Sequence, residues 1–429
     1  MKIITTLSNS FEKEFSEILN RAKMDIEKVE AIVKNIINEI KNEKDEAIFR
    51  HISKFDKWTP KNFQDLEITK EDMQRAYNTL DNDLKRALNI AYERIKAYHQ
   101  KQLPKSWITF EENGTILGQK VTPVDRAGIY VPGGKAFYPS SLLMNVIPAI
   151  VAGVEEIIVT TPVIENKPNK LLLAALYLCN MPKTFKVGGA SAIAAMAYGT
   201  STIPKVDVIT GPGNIFVATA KKLVYGDVNI DMIAGPSEIG IIATKDAKPN
   251  YIAIDLLSQA EHDEMASSIL ITPSMELASK VKEEVYKFLD NLDRKEIAKK
   301  SIENRGVIIV TKDLDEAIFL MNEIAPEHLE VLTQNPFELL PKIKHAGAIF
   351  LGEYTPEPIG DYIAGPNHTL PTGSTAKFFS PLNVEVFMKK SSIISFSKEA
   401  IKELGIDCAL LAKAEMLDAH QKSILERLN

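Results

Sequence analysis

From about Val121 the chain alternates short apolar runs, each ended by Gly or Pro, with segments of helical pattern. The runs at 128–131, 156–160, 184–187 and 206–209 read as strands, and a second series follows at 239–243, 268–271, 307–310, 329–332 and 348–351. Strand alternating with helix means parallel sheets closed by right-handed crossovers, because consecutive parallel strands need a covering connection. Two such series in 429 residues, too many for one ordinary core, predict two doubly wound, Rossmann-like modules. No repeat of 20 to 50 residues appears. Residues 1–103 read as helices, with Val29, Ile32, Val33, Ile36, Ile37 and Ile40 at helical spacing and Pro104 ending the part. Beyond 382 come strand-like pieces at 384–388 and 393–396. A helical tail follows, striped by Leu410, Leu411, Ala414, Leu417, Ile424 and Leu428. The predicted architecture is therefore α/β with helical N-terminal and C-terminal extensions. An arm spans 1–24. Residues 25–127 pack with 238–381 as one module, 128–237 form the second, and 382–429 are the tail.

Composition excludes several classes of function. Hydrophobic content of 45%, charged content of 25% and a net charge of −6 are ordinary for a soluble globular chain. No basic block interleaves with aromatics, so nucleic acid is not an expected partner. The most apolar stretch, 141–154, is broken by Asn145 and Pro148 and is too short to span a membrane. Early acids at Glu12, Glu14 and Glu17 leave no signal-peptide core, which predicts a cytoplasmic protein. Cys179 and Cys408 are too few for a disulfide framework or a thiolate zinc site.

Glycines cluster just after strands, at 131–135, 188–190, 211–214 and 235–237. In open α/β sheets ligands bind outside the carboxyl ends of strands, where glycine admits close approach and helix N-termini favour phosphate. Ordinary turn chemistry accounts for part of the clustering, and no GxGxxG fingerprint is present. Gln259 and His262 lie three apart at the end of a helical run starting near Asn250. They read either as half of a metal site or as incidental polar residues at a helix end. Glu327 beside His328 suits proton transfer. Four of the seven histidines (262, 328, 368, 420) fall in such polar settings, and a long loop carries five prolines from Pro356 to Pro381.

Taken together, GIYVPGGKA (128–136), GPGN (211–214), AGPSE (234–238), DLLSQAEHD (255–263), PEHLE (326–330), GDYIAGPNHTLPT (360–372) and AEMLDAH (414–420) are specific. Over nearly its whole length the chain resembles the histidinol dehydrogenases. The resemblance implies oxidation of L-histidinol through L-histidinaldehyde to L-histidine with two NAD+, the last step of histidine biosynthesis. It implies one Zn2+ per subunit, held by Gln259, His262, Asp361 and His420, and an acid–base pair of Glu327 and His328. Ser237, Gln259, His262, His328, Asp361, His368, Glu415 and His420 match substrate-binding positions; Tyr130, Ser191 and Asn214 match cofactor contacts. Ser191 stands where the family has glutamine, which weakens that match. The resemblance also implies a homodimer with shared sites, the tail of one chain reaching the other.

The residues are consistent with this chemistry on their own terms. No cysteine is placed to trap an aldehyde, so a hydrated aldehyde and a base for water are required, and Glu327 supplies the base. Two imidazoles and two oxygen donors suit zinc. Glu415 and His420 are five apart, roughly 140° around a helix, so a helix end or kink must intervene. The rival readings are a zinc hydrolase on the same scaffold and a two-lobed small-molecule binder.

Overall fold

The computed structural model describes residues 1–21, 26–133 and 139–428. The chain opens with strand β1 (Lys2–Thr5), where the sequence reads helix throughout 1–103. Four residues are too few to show an alternating pattern. What makes KIIT a strand is its distant partner, not its own periodicity. Helices then run through Ile26–Glu43, Asp45–Phe55, Lys70–Asn78 and Asn82–Gln100. The last is started by Asp81, whose Oδ1 accepts the amides of Asp83 and Leu84. β2 (Trp107–Phe110) and β3 (Ile116–Pro123) form an antiparallel hairpin.

β4 (Arg126–Tyr130), β5 (Glu156–Thr160), β6 (Thr184–Phe185), β7 (Val208–Thr210) and β8 (Asn229–Ile230) make a parallel sheet of order β6-β5-β4-β7-β8. β9 (Glu238–Ala243), β10 (Ser267–Thr272), β11 (Gly306–Val310), β12 (His328–Leu332) and β13 (Ala348–Leu351) join β1 in a second parallel sheet, of order β1-β11-β10-β9-β12-β13. β14 (Met388–Ser395) returns to pair with β3. The piece at 384–388 is not a strand but a short 3-10 turn, Val384–Phe387, leading into β14.

Both parallel sheets are covered on two faces, as their continuous apolar strands require. Their cores include Ile129, Val159 and Leu142 on one side of the first sheet and Tyr130, Ile158 and Ile193 on the other. Ile241, Leu270 and Ile308 face one core of the second sheet, with Ile242, Ile271 and Ile309 facing the other. The sequence assigns 25–127 to the module of 238–381. The buried faces of the helices within 26–100 instead join the two cores around β4–β8. Helical periodicity shows that a face is buried, not against which sheet. The Asn82–Gln100 helix also reaches the other module, where Arg94 donates from Nε to the carbonyl of Ile363 at 2.6 Å. Among the described residues no helix is long and apolar enough to cross a membrane.

One loop is pinned with unusual force. The buried ion pair of Lys221 and Asp231 holds both ends of the Gly211 peptide. Lys221 Nζ donates to the Gly211 carbonyl and the Gly211 amide donates to Asp231 Oδ2, each at 2.9 Å. Gly211 has φ +120°, and a Cβ there would lie 2.0 Å from the Tyr130 carbonyl oxygen. Gly211→Ala is expected to lose at least ~1–3 kcal/mol from backbone strain alone. A urea-denaturation midpoint unchanged from the parent protein would contradict this.

Candidate active site

The polar residues of the second sheet gather at the amino ends of its strands, where Glu238 opens β9 and His328 opens β12. Gly235, Pro236 and Ser237 lie directly before β9, not after a strand as the glycine pattern suggests. The glycine pattern does hold on the first sheet, where Val131, Gly188 and Gly211 follow β4, β6 and β7. A strand's direction is set by the sheet around it, so sequence alone does not report which end meets the site.

Glu238 is the hub. Its amide donates to Glu327 Oε2 at 2.9 Å, and its carbonyl accepts from His328 Nδ1 at 3.1 Å. Its carboxylate takes Arg21 Nη2 at 2.9 Å and the Gly373 amide at 3.1 Å, tying in the N-terminal arm and the proline-rich loop. Glu327 is buried, and that burial pushes its carboxyl up to about 8. Burial acts against a charged His328. The surrounding carboxylates of Glu357, Glu327 and Asp361 outweigh it and raise its pKa well above the ordinary range. His328 Nε2 lies 3.6 Å from Asp361 Oδ1 and is buried without a hydrogen-bond partner among the described residues. Two groups able to exchange protons thus sit side by side, out of water.

The helix Pro249–Ala260 brings Gln259 to the same place. It ends one residue later at Ala260, with Glu261 as its C-cap, so His262 is not on the helix. It sits in a closing turn whose amide donates to the Gln259 carbonyl at 3.2 Å, which keeps the two residues together. Ligand atoms of His262, Glu357 and Asp361 all lie within 4.8 Å of one another. Burial lowers the pKa of His262, favouring the neutral imidazole that a cation needs. Burial opposes charge on Asp361 as well, but the imidazoles of His328, His368 and His262 hold its pKa below the usual value. His368 takes its place through Nδ1 on the Asp361 carbonyl at 3.1 Å and Nε2 on Ser141 Oγ at 3.4 Å.

Comparison with known proteins supplies the family. A family profile described as histidinol dehydrogenase matches residues 19–428. The chain is 68% identical over 428 residues to histidinol dehydrogenase of Sulfurimonas denitrificans and 64% identical over 431 to that of Wolinella succinogenes. Each match covers 100% of both chains. A crystal structure of histidinol dehydrogenase from Elizabethkingia anophelis superposes with a TM-score of 0.94 at 34% identity, covering 100% of this chain and 98% of that one. The chain belongs to the histidinol dehydrogenase family. Membership makes it a dehydrogenase.

Of the positions matched to the family, the fold gathers Gln259, His262, Glu327, His328, Asp361 and His368, with Ser237 next to Glu238. Glu415 and His420 stand apart. Both are exposed on the tail, and among the described residues no side-chain hydrogen bond or ion pair joins either to the cluster. The break that their spacing demands is present: the helix Lys398–Ala414 stops at Glu415, Met416 has φ +60°, and a new helix starts at Asp418.

On the first sheet, Tyr130 Oη accepts the Gly189 amide at 3.2 Å, and burial pushes its hydroxyl up to about 12. Asn214 caps the helix Ile215–Val224 through the amides of Phe216 and Val217. Ser191 is buried, its Oγ 2.8 Å from His51 Nδ1, while His51 Nε2 lies 2.8 Å from Glu39 Oε2. Its hydroxyl is thereby already engaged. Residues 134–136 of the GIYVPGGKA motif lie outside the described residues.

Sequence reasoning missed Glu357. It is almost fully buried at the site, and burial pushes its carboxyl up to about 7. The signal was its spacing of four from Asp361, which places two carboxylates on one face of a helical turn. The flanking Pro356 and Pro358 disguise that turn as loop.

Proposed function

We propose that the protein oxidises L-histidinol through L-histidinaldehyde to L-histidine with two NAD+, as the last step of histidine biosynthesis in the cytoplasm. The observation that carries the reading is a His262–Glu357–Asp361 cluster beside a buried Glu327–His328 pair in a chain of this family. The donors fit one Zn2+ per chain. They are a neutral imidazole, a carboxylate and an amide oxygen, with the unpartnered Nε2 of His328 facing Asp361. Gln259, His262 and Asp361 hold it from one chain and His420 from the partner of a homodimer. When bound, the ion orients the imidazole and amine of histidinol and stabilises developing negative charge. Two helix N-termini, at Gly189 and Ile215, open near the carboxyl ends of β6 and β7 and suit the phosphates of NAD+. Tyr130 ends β4, between β5 and β7, and Ser191 and Asn214 lie at the two helix starts.

The residues divide the work by protonation. In its neutral form, which a bound cation nearby would favour, His328 accepts the alcohol proton as the first hydride passes to NAD+. Glu327 then accepts a proton from the water that adds to the aldehyde carbon; the hydrate passes the second hydride to NAD+ as its hydroxyl proton goes to His328, whose first proton has left to solvent. Ser237, His368 and the partner's Glu415 line the substrate. No cysteine is involved: Cys179 is buried with its thiol pushed up to about 12, and Cys408 is exposed on the tail.

The test is turnover. Histidinol and NAD+ are expected to give two reduced nicotinamides per histidine, and a chelator is expected to stop the reaction. His262→Asn should come off the column depleted of zinc. Stoichiometric binding without turnover, or a variant with full zinc content, would overturn the reading.

A further inference from the structure

The amide of Gln259 presents an ambiguity that the protein has to resolve. Its oxygen and nitrogen are nearly the same size, yet only the oxygen can face a cation. Gln259 is almost fully buried, so water cannot settle the choice. The structure settles it with acceptors. One branch of the amide meets Glu357 Oε1 at 3.1 Å, the Glu238 carbonyl at 3.2 Å and His328 Nδ1 at 3.0 Å. The first two can only accept, so that branch is the nitrogen. The other branch is then the oxygen.

We infer that Glu357 is a positioning residue, whose carboxylate holds the Gln259 amide with its oxygen turned to the metal. This rests on the zinc reading above and adds a residue outside the inferred ligand set. Glu357 is itself held on three sides. Ser258 Oγ donates to Glu357 Oε2 at 3.0 Å, and the Glu357 amide donates to Glu330 Oε1 at 2.8 Å. His328 Nδ1 lies 3.8 Å from Glu357 Oε1. Both oxygens are thus committed within the protein, one to Ser258 and one to the Gln259 amide. A carboxylate bonded to the N–H of an amide also raises the basicity of the amide oxygen, as carboxylates do for metal-bound imidazoles.

The experiment measures affinity for Co2+ alone, by competition with a chromophoric chelator, on the full-length protein. Glu357→Met keeps the volume and removes the acceptor. It is expected to weaken Co2+ binding by ~10–100-fold, the usual cost of losing such a partner. Glu357→Gln keeps an acceptor oxygen and should recover most of that loss. Neither variant should move the ligand-field bands of bound Co2+, because no ligand is exchanged. In a Gln259→Ala background, Glu357→Met should cost nothing further. A shifted band, a loss that adds fully to that of Gln259→Ala, or a Glu357→Gln as weak as Glu357→Met would overturn the inference. If Glu357→Met fails to fold, the rescue and band position of Glu357→Gln still decide. A parent protein that binds no Co2+ would instead overturn the zinc reading itself.

Discussion

Replacing Glu327 by glutamine is expected to slow oxidation of the aldehyde by ~10²–10⁴-fold, the span of general-base contributions, and to slow alcohol oxidation less. Glutamine is close to isosteric, and its oxygen can still accept the Glu238 amide that now meets Glu327 Oε2. Geometry is kept while the base is lost. The two half-reactions should be measured from histidinol and from histidinaldehyde separately; equal losses would contradict the role. The pH dependence follows from the same burial. A base works unprotonated, so the aldehyde step should speed up as pH rises through the carboxyl's pKa and then level. Burial lifts that pKa from 4.5 toward about 8, and a nearby cation lowers it again, so the rising limb should fall between those values. In Glu327→Gln that limb should vanish.

Two inactive variants should rescue each other. His420→Asn and Glu327→Gln, unfolded, mixed equally and refolded, are expected to recover roughly a quarter of parental activity. Random pairing makes half of the dimers mixed, and each mixed dimer has one undamaged site of two if the tail crosses to the partner. The expectation is supported by what the single chain leaves uncovered. His420 is exposed and unconnected to the cluster, and Leu410, Leu411 and Met416 of the tail are 58%, 68% and 90% exposed. Trp107 and Phe110 of β2 and Ile394 of β14 are exposed too. Exposed apolar side chains of this kind would suit an interaction face if they form one patch. A mixture as inactive as its parents, with exchange of subunits verified, would show that each tail serves its own chain.

Most strands of both sheets were legible because buried parallel strands are continuous apolar runs, and β5 and β13 match their sequence reading residue for residue. The break between Glu415 and His420 was legible from helical geometry alone. What escaped depends on partners distant in sequence. β1 needs β11 to exist, and the pairing of β14 with β3 joins residues more than 250 apart. His51 looks like a packing residue until the helix carrying Ser191 is laid against it. Glu357 reads as one acid among prolines until the fold surrounds it with Gln259, Ser258 and His328.

The pairing of β1 with β11 also bears on how the protein is made. Residues 2–5 are made well ahead of their neighbours and find them only when 307–310 have followed. At synthesis rates of ~5–20 residues per second, that wait is roughly 15–60 s. The five-stranded sheet, whose strands all lie within 126–230, has every strand in hand well before then. The arm is tied by Arg21 to Glu238, so the hub of the site also receives its N-terminal anchor late. Assembly should therefore run from the first sheet outward, with this early-made segment among the last to settle.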